Sequence, residues 1–89
     1  MNAKRRNAIN SIINDLIDKF EEIKAEAIDQ LSEIRDEEQE AYDNLPETLQ
    51  DSERGENMQN CIDALESFMS DLEYMEIEGT DDLLEEIGG

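Results

Sequence analysis

Glu26, Asp29, Glu33, Asp36, Glu37, Glu40 and Asp43 recur at steps of three and four residues. On a helix that spacing sets carboxylates about 5 to 6 Å apart on neighbouring turns. Few of them have a Lys or Arg four residues on, so helical ion pairs do not neutralise the row. Glu56, Asp63, Glu66, Asp71, Glu73 and Glu76 repeat the pattern further along the chain. Closely spaced carboxylates can ligate hard cations or stand in for the phosphates of a nucleic acid. The first use needs ligands in a loop register such as Asp-x-Asp-x-Asp-Gly. Glu73, Glu76, Glu78, Asp81 and Asp82 surround Gly79 without meeting that register, so neither a dedicated metal site nor a cofactor is expected. The second use needs only a regular anionic face, and its plain alternative is a face that keeps the chain in solution.

Other chemistry has little to draw on. The chain holds no His and one Cys, and Ser11, Ser32, Ser52, Ser67 and Ser70 have no base near them in sequence. Carboxylate pairs for acid–base work arise by chance in so acidic a chain. The expectation is a protein that is not an enzyme and has no catalytic residues. Cys61 lies beside an apolar seam and reads as a small buried hydrophobe.

Charge is distributed unevenly. The 89 residues carry a formal −19, from 26 acids against seven bases. Residues 1–24 hold Lys4, Arg5, Arg6, Lys19 and Lys24 against four acids, whereas residues 25–89 hold only Arg35 and Arg54 against 22. The sequence therefore describes an anionic body with a basic tip. Direct nucleic-acid binding by three basic residues ahead of such a body is not expected, because the field of the whole would overwhelm them. The tip is instead expected to meet the acidic tail or a neighbouring subunit. No apolar run approaches the roughly 20 residues of a membrane span. The N-terminus lacks a signal segment and the lone Cys cannot pair within the chain, so a cytosolic, intracellular protein is expected, with no membrane partner.

The elements that must position these charges are helices. Val is absent and Thr occurs only at Thr48 and Thr80, which removes the β-branched alternation strands require. Apolar residues at Ile9, Ile13, Leu16, Phe20, Ile23 and Ala27 alternate steps of four and three, and the seam resumes at Leu31 and Ile34. This predicts a helix from about residue 7 to 43, on the order of 55 Å long. Leu45-Pro46 breaks it. Residues 44–51 form the corner, with one helical turn after Pro46 and Asp51 or Ser52 as the next cap. A second seam through Met58, Ile62, Leu65, Met69 and Leu72 predicts a helix over about 52–78. Gly79 as a stop and Thr80 as a cap then lead into a short helix over about 80–87. The fold class is all-α, a long antiparallel helical hairpin with a short C-terminal helix, laid across the N-terminal tip to fill the excess length of the first helix. A second copy covering Ile9, Ile12, Ile13 and Ile17 would make a four-helix bundle, so monomer and homodimer both stay open.

The stretch Asp36-Glu-Glu-Gln-Glu-Ala-Tyr-Asp-Asn-Leu-Pro-Glu-Thr-Leu-Gln-Asp-Ser-Glu-Arg-Gly-Glu-Asn-Met-Gln-Asn-Cys-Ile-Asp-Ala-Leu-Glu66 resembles a segment of small acidic helical proteins of phages and mobile elements of Gram-positive bacteria. The resemblance covers about a third of the chain and assigns no site residues. It implies a genetic setting in which acidic proteins inhibit host defence, as anti-CRISPR and anti-restriction proteins do by presenting a DNA-like surface. With the carboxylate rows, this leads to the expectation of an inhibitor that binds a basic, nucleic-acid-handling host protein through Glu26, Asp29, Glu33, Asp36, Glu37, Glu40, Asp43, Asp63, Glu66 and Glu73. The rival expectation is an assembly protein acting through Ile9, Ile13, Leu16, Phe20 and Ile23.

Overall fold

In a computed structural model, which describes residues 1–88, the chain is all-helical. Helix α1 spans Ala3–Asp43, α2 Glu47–Gln50, α3 Glu53–Glu73 and α4 Thr80–Glu86. No Gly or Pro interrupts α1, and it has no acid in the first turn and no base in the last, so its charges do nothing to offset the helix dipole. Its ends are held by side chains instead. The Asn2 carboxamide oxygen accepts from the Arg5 backbone N–H at 2.9 Å, which lets the helix begin at Ala3 rather than at Asn7. At the other end the Gln50 carboxamide donates to the carbonyls of Tyr42 and Leu45, at 3.1 and 3.2 Å. Tyr42 is in the last turn of α1, whose carbonyls have no partner within the helix, and its carbonyl also accepts from the Leu45 N–H at 3.0 Å.

The corner is built on close approach. Pro46 precedes α2 with φ −57° and ψ 148°, and Ser52 caps α3, its hydroxyl accepting from the Gly55 N–H at 3.5 Å and donating to the Leu49 carbonyl. Gly55 is buried, and a Cβ there would lie 2.6 Å from the Leu49 carbonyl oxygen and closer still to that of Gln50. Glycine is required here for space, since a side chain would push α2 off the first turn of α3.

Helix α3 stops at Glu73 rather than at Glu78. Its last turn has no basic residue of its own, and Asp71, Glu73, Glu76 and Glu78 crowd like charge onto its negative end. Lys24 supplies the missing cation, its ammonium donating to the Glu73 carbonyl at 3.1 Å. Gly79, left-handed at φ 87°, then turns the chain into α4. Thr80, expected as the cap, is the first residue inside the helix, and Gly79 holds the cap position with no side chain to bond.

Two compact units result. In the unit formed by residues 24–74, the second half of α1 pairs antiparallel with α3. Ile62 is 1 % exposed and Met69 is buried; Ile28, Leu31, Met58 and Leu65 are half-buried around them. In the unit formed by residues 1–23 with those from 75 onward, Ile13 and Ile87 are buried and Ile9, Phe20, Ile77 and Leu84 are half-buried. Each core is small, which follows from the low ratio of volume to surface at this chain length.

Candidate functional site: the acidic face of the hairpin

All ten carboxylates named from the sequence lie in the 24–74 unit, and all are exposed. That unit holds sixteen acids against Lys24, Arg35 and Arg54, a net −13. At about 100° per residue, Glu26, Asp29, Glu33, Asp36, Glu37, Glu40 and Asp43 fall within about 120° of one another, on the side of α1 away from α3. The side facing α3 is apolar, so the same periodicity that buries Leu31 expels these acids. Asp36 receives the Arg35 guanidinium at 3.0 Å and Asp43 receives the Gln39 amide at 3.0 Å. Among the described residues Glu26, Asp29, Glu33, Glu37 and Glu40 have no ion pair. Seven carboxylates over about 27 Å of helix average one per about 4 Å, close to the roughly 3.4 Å per phosphate along one DNA strand.

The three acids of α3 do not join this row. Glu66 and Glu73 line a polar groove on one flank of the hairpin, with Ile28, Ser32, Arg35, Met69 and Ser70. Asp63 does not line this groove; it is exposed and accepts from the Gln59 amide at 3.2 Å. The site thus divides into a continuous face of seven on α1, a flanking pair on α3, and Asp63 apart from both.

No family profile matches this chain, and no curated protein or solved structure is significantly similar to it. What the molecule can do must therefore be read from the arrangement of its side chains.

The opposite flank of the hairpin is apolar. Ile34, Cys61, Ala64, Leu65 and Phe68, with Glu38 at one edge, line a groove of about 430 Å³. Ile34 is 52 % and Phe68 51 % exposed. Cys61, expected to be buried, is exposed. It lies about 100° around α3 from the buried Ile62 and so faces the groove rather than the core. The five seam residues named from the sequence separate likewise. Ile13 is buried and Ile9 and Phe20 are half-buried inside the N-terminal unit, whereas Leu16 is 49 % and Ile23 65 % exposed. Among the described residues no group of three or more His, Cys, Asp or Glu is placed to hold a metal ion, and no helix is long and apolar enough to cross a membrane.

Proposed function

We propose that this protein is an inhibitor that binds a basic, nucleic-acid-handling protein by laying the carboxylate face of α1 into the groove where nucleic acid would run. The observation that carries this reading is the row of seven exposed carboxylates, largely without cationic partners, on one side of one helix at nearly the charge spacing of a DNA strand. Such a row repels itself and lowers the stability of the fold that bears it, a cost that a cationic partner offsets. The helix is also a firm support, since its opposite side is anchored on Ile62 and its end is fixed by Gln50. A defence nuclease of a bacterial host is the kind of target the resemblance of residues 36–66 suggests, and the site of action would then be the host cytosol.

The test is retention of host-lysate proteins on the immobilised chain, followed by elution with salt and with double-stranded DNA. Nucleic-acid-binding proteins should be held at about 50 mM salt and released by about 500 mM, since contacts of this kind weaken steeply over that range. Free DNA should release the same proteins. Retention that resists both salt and DNA would contradict the proposal.

A further inference from the structure

The four buried apolar side chains, Ile13, Ile62, Met69 and Ile87, are outnumbered by eleven large apolar ones that stay exposed among the described residues. Five of the eleven gather on two faces, and a contiguous exposed apolar patch, unlike single exposed residues, marks surface that another molecule covers. In the N-terminal unit Ile12, Leu16 and Ile23 are 66 %, 49 % and 65 % exposed. All three fall on one face of α1, and Arg5 and Lys19 lie within about 60° of the same line. Lys19 also pairs with Asp15 at 3.0 Å, which leaves Arg5 as the stronger charge of the two. This face is apolar with basic flanks. In the other unit the groove of Ile34, Cys61, Ala64, Leu65 and Phe68 is apolar with one acid, Glu38, at its edge. Glu38 and Glu53 border the adjoining stretch along Met58, where Arg54 is the one base.

We infer that the Arg5–Ile23 face of α1 docks into the Ile34–Phe68 groove of a second copy of this chain, and that two copies exchange this contact to form a homodimer. Charge complementarity selects the occupant. A chain of formal −19 repels its own kind wherever like faces meet. The basic-flanked apolar face is the surface of the molecule least subject to that repulsion, and the acid-edged groove is its complement in both sign and hydropathy. An exchanged contact of this type satisfies the rule of closed two-fold assemblies, in which residue i meets j and j meets i. It also gives the basic tip a use that its position at the positive end of α1 denies it within the helix. The dimer does not depend on the proposed function. Within the 24–74 unit the centre of the carboxylate face lies about 120° around α1 from Ile34, so the groove can be filled with that face still open.

The experiment is sedimentation equilibrium of the full chain at about 50 mM salt, with four variants read beside it. Wild type should be a dimer. Ile34→Asp and Ile23→Asp should each be monomeric with unchanged helical circular dichroism, since both side chains are more than half exposed. Arg5→Glu/Lys19→Glu should weaken the dimer by about tenfold or more, and adding Glu38→Lys/Glu53→Lys to it should restore association. A monomeric wild type at about 100 μM, well above the micromolar affinities of ordinary specific interfaces, overturns the inference. So does a dimer indifferent to Ile34→Asp, or a charge-swapped variant that stays as weak as the double reversal. None of these outcomes bears on binding to a basic host protein, so the two readings fail separately.

Discussion

The two flanks of the 24–74 hairpin share one core and differ in nearly everything else. One presents Ser32, Arg35, Glu66, Ser70 and Glu73 over Ile28 and Met69; the other presents Ile34, Cys61, Ala64, Leu65 and Phe68 with Glu38 at its edge. A helix pair needs one apolar stripe per helix to hold together. The polar flank shows where the stripe ends, whereas the apolar flank shows it continuing past the point that folding alone requires. Surplus hydrophobicity in so small a chain thus has a direction, and that direction is opposite to Glu66 and Glu73.

Removing what lies beneath both flanks should erase the contrast between them. Ile62→Ala takes away the most buried side chain and should cost about 2 to 5 kcal/mol, read by thermal or urea unfolding, with the two flanks lost together. Gly55→Ala forces α2 away from α3 and should cost about 1 to 3 kcal/mol. The effect should centre on the corner, where amide exchange at Gln50 and Ser52 would accelerate. Lys24→Met removes the ammonium that caps the Glu73 carbonyl and should cost about 1 kcal/mol, with fraying confined to the last turn of α3 in exchange measurements. The flanks themselves should respond least. Phe68→Ser, at a half-exposed position on the apolar side, should change stability by no more than about 0.5 kcal/mol. It should nonetheless weaken the proposed homodimer, read by sedimentation equilibrium, because Phe68 lines the groove that the second copy fills, and Ser70→Ala on the polar side should change neither property.

Much of this was readable from the chain. Steps of three and four from Ile9 to Ile34 and from Met58 to Leu72 identify helices, and Pro46 with Ser52 fixes where the chain turns, because these are local properties of backbone and period. What stayed hidden depends on partners outside the repeating pattern. Gln50 reaches back to Tyr42, Lys24 reaches across to Glu73, and Gly55 is demanded by the carbonyls of Leu49 and Gln50. A periodic pattern names none of these. The seam Ile9, Ile13, Leu16, Phe20 and Ile23 looks uniform because alternating three- and four-residue steps fit one broad stripe. Ile13 and Phe20 turn inward while Leu16 and Ile23 turn out. Only about 60° of helical rotation separates the two sets, and the packing of the neighbouring segment decides between them. The carboxylate row was legible for the opposite reason: an acid on the far side of a helix from its core needs no partner to stay there. Asp63, Glu66 and Glu73 looked equivalent to it in spacing, and only the placement of α3 against Ser32 and Arg35 sets Glu66 and Glu73 apart from the row.

The function proposed for the carboxylate face is tested most plainly by comparing wild type with Asp36→Asn/Glu37→Gln/Glu40→Gln/Asp43→Asn, each used to retain basic nucleic-acid-binding proteins at about 50 mM and about 500 mM salt. The variant should be at least as stable as wild type at low salt, because four repelling charges are gone, and it should retain little at either salt concentration. Equal retention by the two proteins, unaffected by salt, would contradict this and remove the carboxylate face of α1 from the function of the protein.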